Sequence, residues 1–171
     1  LGDVYKRQFH PYTNPQVLKE FGPHVICRGD GIYVYDSSNT KFIEGMSGLW
    51  CASLGFDNKE LIEAAAKQMD KLPFYHSFAG KVPEVAANLS EKLLKIAPKG
   101  LDKVFFCNSG SEANDTAIKV VWYYQNALGR PEKRKVISRK RGYHGVTMVA
   151  GSLTGLPYAQ DGLGLPLDFI R

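Results

Sequence analysis

No run in this 171-residue sequence approaches the ~18 consecutive apolar residues of a membrane span. The opening Leu1–Gln8 lacks the apolar core of a secretory signal. Both absences lead to the expectation of a soluble, cytoplasmic protein with no membrane partner. Cysteine is scarce: Cys27, Cys51 and Cys107 are odd in number and show no C-x-x-C spacing. That excludes a disulfide framework and a zinc site. His10, His24, His76 and His144 are scattered without metal-ligand spacing, so no metal is expected. There is no G-x-x-x-x-G-K-[ST], and no G-x-G-x-x-G joins a strand to a helix, which removes the P-loop and dinucleotide fingerprints. Internal repeats and low-complexity segments are also missing.

What remains has the composition of a globular chain, 44% hydrophobic and 23% charged. Its length suffices for a sizeable core. The net charge of +5 is local: Arg130–Arg141 carries seven basic residues and one acid, and outside it the counts are 15 and 16. A solvated loop with strand ends is the plain reading of such a run. Nucleic-acid recognition would need aromatic partners, and this stretch has none, so no nucleic acid is expected. The first methionine is Met46, and Leu167–Arg171 reads as a strand beginning. Together these suggest an incomplete chain.

Elements follow from pattern. Phe9–Asp30 contains Pro11, Pro15 and Pro23 and reads as irregular chain with one short helix. Gly31–Glu44 has two β-branched and aromatic runs around Asp36–Asn39, a hairpin signal. Met46–Gly55 reads as a loop. Asp57–Leu72 reads as a helix, with Asp57 and Glu60 as a capping box and Leu61, Ala64, Met69 and Leu72 as an apolar stripe. Pro73 breaks it. Pro83–Ala97 is a second helix, with Val85, Leu89, Leu93 and Ile96 at helical spacing. Lys103–Cys107 is a continuous apolar run, as for a strand buried on both faces. A polar turn, a helix over Glu112–Leu128 and a strand at Lys135–Ser138 complete a βαβ pattern with a parallel sheet.

Two polar turns leave strand ends, Asn108–Ser111 and Gly142–Gly145. In an open α/β sheet ligands sit beyond those ends. Ser109, Gly110 and Ser111 enter a helix, where free N–H groups and hydroxyls make an anion cradle. Ser109 and Glu112 are equally an ordinary capping box, and one turn can serve both purposes. Tyr143 and His144 offer a flat ring and a titratable group, or simply packing aromatics in a turn. Trp50, Phe74, Tyr75 and Phe78 are large rings in loops, where a domain or subunit contact is a common reason.

Gly48-Leu-Trp-Cys51, Leu72-Pro-Phe-Tyr75, Asn108-Ser-Gly-Ser-Glu-Ala-Asn-Asp115 and Gly142-Tyr-His-Gly145 stand in this order and spacing. Together they resemble the class III, fold-type I, pyridoxal-phosphate aminotransferases, within them the ω-amine or polyamine:pyruvate group. The resemblance runs from about Phe9 to Arg171, and residues 1–8 are expected to be extraneous. It implies an α/β fold. Residues 9–56 would form an N-terminal segment with the hairpin and an active-site loop. Residues 57–171 would open a large cofactor-binding domain with a mainly parallel sheet, truncated here.

By position, the resemblance makes Ser109, Gly110 and Ser111 the phosphate cup of pyridoxal 5'-phosphate. Tyr143 would stack on the pyridine ring, with His144 beside it. Tyr12, Trp50 and Phe78 would line a substrate pocket shared across a homodimer. The implied reaction moves an amino group from an amine or ω-amino acid to pyruvate or a similar oxo acid. No lysine here matches the family's Schiff-base lysine, Lys119 included, and that lysine and the aspartate on the pyridinium nitrogen are expected downstream. Residues 1–171 alone are therefore expected to be inactive and poorly soluble. Two other readings stay open. One is a related aminomutase, decarboxylase or racemase on the same cofactor. The other is a non-catalytic phosphate or polyanion-binding module using Arg130–Arg141.

Overall fold

A computed structural model describes residues 7–171. Most of the segment expected to be extraneous, residues 1–8, lies outside the described residues. Contacts divide the chain into two compact units, one ending at Pro83 and one running from Glu84 to Arg171.

In the first unit, helix α1 (Pro15–Phe21) starts where Asn14 Oδ1 accepts the N–H of Gln16 at 2.9 Å. Strands β1 (Ile26–Asp30), β2 (Tyr33–Asp36) and β3 (Lys41–Ile43) then form an antiparallel sheet in the order β1-β2-β3. The hairpin read from Gly31–Glu44 is β2–β3. Strand β1 falls in the stretch expected to be irregular, because its ICRGD sequence has no alternation to announce it. Pairing supplies what pattern lacks: the Arg28 guanidinium sits 3.6 Å from the ring centroid of its cross-strand partner Tyr35.

The β2–β3 turn is built on one carboxylate. Asp36 Oδ1 accepts the N–H groups of Ser38 and Thr40 at 2.9 and 2.8 Å. Asn39 takes the left-handed position, φ 63°, that a three-residue hairpin loop requires.

Residues Ser47–Trp50, helix α2, occupy part of the stretch expected to be a loop. Their φ angles are 50°, 59°, 58° and 73°, so this is a left-handed turn. Three of the four residues carry a side chain, and each costs about 1–2 kcal/mol there. Hydrogen bonds hold it: Met46 O accepts Trp50 N–H at 2.9 Å, and Glu44 Oε1 accepts Met46 N–H at 2.7 Å. Helix α3 (Lys59–Lys71) follows, capped by Asn58 and not by Asp57 as expected. Asp57 Oδ1 is engaged elsewhere, on the N–H of Gly31 at 2.9 Å.

The second unit contains α4 (Glu84–Ile96), α5 (Gly110–Ala127) and α6 (Met148–Leu153). Its core is small: Ile118, Leu153 and Ile170 are buried, with Trp122, Val136, Val149 and Phe169 packed around them. The expected parallel sheet is only partly present. Lys103–Cys107 forms no strand, and the only regular sheet among the described residues is antiparallel. Parallel pairing occurs at one bridge, Val136 with Ile170, where Val136 N–H reaches Phe169 O and Arg171 N–H reaches Val136 O, both at 2.8 Å. A strand needs at least one paired neighbour for its backbone groups, and an apolar run without one stays irregular. The apolar stripes of α3 and α4 are likewise exposed, at Leu61 and Met69 and at Val85 and Ile96.

Hydrogen bonds from Thr40 and Ser38 and the nearby His24 hold the Asp36 carboxyl below the ordinary aspartate range. A lowered folded pKa contributes stability that is fully present above the unfolded value and disappears as pH falls through the folded one. Amide protection at Ser38 and Thr40 should therefore stay flat at neutral pH and drop below the ordinary aspartate range. In Asp36→Asn that acid-side drop should vanish, as amide exchange by NMR would report.

Candidate functional site

The site grows from the first turn of α5. Ser109 is the N-cap: its Oγ accepts the N–H of Glu112 at 3.2 Å, and Glu112 Oε2 accepts the N–H of Asn108 at 2.8 Å. The Ser109 half of the capping box read from the sequence is thus formed, while Glu112 reaches back one residue further, to Asn108 in place of Ser109. The N–H groups of Gly110 and Ser111, the first two of the helix, have no intrahelical acceptor by construction. They stand at the positive end of an 18-residue helix. A side-chain carbon added at Gly110 would meet no heavy atom within 4 Å, so the space over this turn is open. Open volume, unpaired donors and a helix dipole suit a dianionic phosphate, and the residues here fit such a group.

Ser111 has a second duty. It is buried, and its Oγ accepts the N–H of Val146 at 3.0 Å. Two further residues of α5 reach the same segment. Asn114 Nδ2 donates to His144 O at 2.7 Å, and Asp115 Oδ1 accepts from Thr147 Oγ1 at 2.8 Å and Ala150 N–H at 3.1 Å. Residues 111, 114 and 115 share one helix face. That face binds the Gly142–Gly145 turn and the start of α6, so both expected cofactor turns are joined in one unit.

Gly145 shows how close the approach is. Its φ is 132°, and an added side-chain carbon would lie 2.8 Å from Ala150 Cβ and 3.0 Å from Ser111 Cα, with Ser111 Oγ nearer still. Gly142 is covered from the other side by His144, whose Nε2 would stand 3.0 Å from a carbon added there. The imidazole therefore folds back over its own turn. Tyr143 is 59% exposed, its ring free to face a ligand.

The expected substrate-pocket residues all belong to the first unit. Tyr12 and Trp50 have left-handed φ angles of 49° and 73°. Trp50 and Phe78 are each 78% exposed, and so are other rings such as Phe9 and Phe74. Asn114, Asp115, Thr147 and Thr154 are the residues that sequence reading missed. Asn114 and Asp115 lay inside a quoted motif, yet nothing local marked them as contacts to a turn thirty residues away.

The basic stretch is partly structural. Arg134 Nε donates to Pro131 O at 2.9 Å, and its guanidinium lies 5.3 Å from the Trp122 ring centroid. No group of three or more potential metal ligands occurs among the described residues. No helix among them is long and apolar enough to cross a membrane.

Comparison with known sequences identifies the family. The profile of the family described as aminotransferase class-III matches residues 16–167. The chain belongs to the class III aminotransferases. Gamma-aminobutyrate transaminase 1, mitochondrial, of Oryza sativa subsp. japonica is 45% identical over 161 residues, covering 94% of this chain and 31% of that protein. Vanillin aminotransferase of Capsicum chinense is 48% identical over 149 residues, 86% of this chain and 32% of that one. Among solved structures, the omega transaminase from Pseudomonas jessenii in complex with PMP superposes with a TM-score of 0.93 at 55% identity. That match covers 97% of this chain and 36% of that one. The class III chain described here thus spans about a third of the length of the relatives it matches.

The two glycines of the candidate site predict opposite outcomes. Gly145→Ala in the complete protein should cost about 2–4 kcal/mol of stability, from backbone strain plus overlap. Gly110→Ala should change it by no more than about 0.5 kcal/mol. Urea denaturation of the two variants beside the parent checks both.

Proposed function

We propose that the complete protein is a pyridoxal-phosphate-dependent aminotransferase. It would transfer an amino group from an amine or ω-amino acid to pyruvate or a similar oxo acid. The observation that carries this reading is the coupling of an open anion cradle, at the start of α5, to the Tyr143–His144 turn through the same helix face. The class III family match supports it.

In this reading the N–H groups of Gly110 and Ser111, with the hydroxyls of Ser109 and Ser111, hold the cofactor phosphate. Backbone donors do this without supplying an acidic group. The Tyr143 ring lies against the flat pyridine ring, and His144 closes the turn behind it. When bound, pyridoxal phosphate supplies the electron sink that lets a proton leave the carbon bearing the amine. Tyr12, Trp50 and Phe78 are proposed to line the substrate pocket, where apolar walls exclude water and suit an amine without an α-carboxylate. The relatives are about three times as long, and their further length is where the Schiff-base lysine and the pyridinium-partner aspartate are proposed to reside.

The proposal extends to architecture. Residues 57–171 open the large cofactor-binding domain, with a mainly parallel sheet when complete, and two copies form a homodimer. A cytoplasmic location belongs to the same reading, and the mitochondrial name of the rice relative sets the alternative compartment.

The test is amine-dependent formation of alanine from pyruvate by the complete protein, with pyridoxal phosphate added. Alanine formed only with both cofactor and amine donor supports the reading; no transfer across a panel of amines and ω-amino acids refutes it. Gly110→Val, which fills the open cradle, should weaken cofactor binding at least about tenfold by absorbance titration, while leaving the apo protein folded.

A further inference from the structure

The Tyr143 ring is 59% exposed, so packing does not aim it. What holds it is the main chain, and both polar groups of the next residue are bound by side chains. The N–H of His144 donates to Thr154 Oγ1 at 3.0 Å, and its carbonyl accepts from Asn114 Nδ2 at 2.7 Å. These two bonds fix the peptide planes before and after His144, and the first of those planes sets the backbone from which the Tyr143 ring projects.

Thr154 is fully buried, and its hydroxyl has no access to water. It accepts from His144 N–H, and its own proton is shared between Gly145 O at 3.0 Å and Ala150 O at 3.1 Å. The next residue continues the contact: Arg141 N–H donates to Gly155 O and Gly155 N–H to Gly142 O, both at 2.8 Å. Thr154 and Gly155 thus run along the whole turn as a template. Gln160 Nε2 anchors that template by donating to Thr154 O at 2.6 Å. A valine would fill the same volume at residue 154 but leave the His144 N–H buried without an acceptor, which is the costly way to lose a hydrogen bond.

We propose that Thr154 and Asn114 are positioning residues, which clamp the peptides flanking His144 and so aim Tyr143 at the cofactor. This rests on the cofactor reading given above. Neither side chain is required to touch the cofactor.

The experiment uses the complete protein with Thr154→Val, Thr154→Ser and Asn114→Ala. Deuterium exchange of the 141–147 segment is followed in the apo state. Pyridoxal phosphate is then titrated, with visible circular dichroism of the bound chromophore as the spectroscopic readout. In Thr154→Val, exchange at the His144 amide should rise about tenfold or more while α5 keeps its protection. Cofactor binding should weaken about tenfold, and the dichroic band should shrink. Thr154→Ser, which keeps the hydroxyl, should restore all three. Should Thr154→Val fail to fold, Asn114→Ala removes the other clamp from a half-buried position on α5 and should give the same changes.

Unchanged cofactor affinity and dichroism in folded Thr154→Val and Asn114→Ala would overturn the positioning role while leaving the cofactor reading standing. Loss of protection across all of α5 would overturn it too, by showing a general structural role. Failure of the parent protein to bind pyridoxal phosphate would overturn both.

Discussion

One face of α5 sets the rest of the second unit. Ser111, Asn114, Asp115, Ile118 and Trp122 follow one another at helical spacing along it. Its N-terminal half is polar, and three side chains place their hydrogen bonds on the Gly142–Gly145 turn and the start of α6. Its C-terminal half is apolar and packs against Leu153 and Ile170. The same stripe thus builds a site at one end and a core at the other. With so few buried aliphatic side chains, the geometry of the turns depends on directional polar contacts. Apolar burial is non-directional and would not select one arrangement of a glycine-rich turn over its neighbours.

The sequence was legible where structure is local. The Ser109 cap of α5, the β2–β3 hairpin, and the helices over 59–71 and 84–96 all follow from patterns within a few residues. Choices between equivalents were not. Asp57 and Asn58 are both good caps, and which one caps α3 depends on the Gly31 N–H claiming Asp57, an interaction 26 residues away. Helix α6 is only six residues long, too short for periodicity to declare itself, and its first turn is held by its own N-cap Thr147 together with Asp115 from α5. Lys103–Cys107 fails as a strand for the same kind of reason. An apolar run states what a segment could bury, and pairing decides what it becomes.

The candidate site divides along the same line. Gly110 and Ser109 could be read because a cap turn is a local object. Ser111 was assigned to the phosphate cup, and its buried Oγ also ties the two turns together, a role that spacing cannot reveal. Asn114 and Asp115 sit where a helix interior normally carries neutral choices. Asn and Asp there are mildly unfavourable for the helix, since their side chains compete for backbone groups. In this chain that tendency is used on a neighbouring segment's backbone. Polar residues of poor helix propensity on the inward face of an otherwise ordinary helix were the one signal available, and they point to contact with irregular chain.

Strain is distributed in keeping with this division. The left-handed turn at Ser47–Trp50 ends on the exposed ring of Trp50 and a positive φ also falls on Tyr12, while the turn at Gly142–Gly145 relies on glycine at its tightest contact. A glycine there lets the backbone come within van der Waals distance of α5 without distorting it. A bulky residue in the left-handed region does the reverse: it holds a ring in solvent at a conformational cost that hydrogen bonds from Met46 and Glu44 must offset. An apolar substrate wall is the role proposed above for Tyr12 and Trp50, and a ring fixed by its backbone keeps one orientation without being packed.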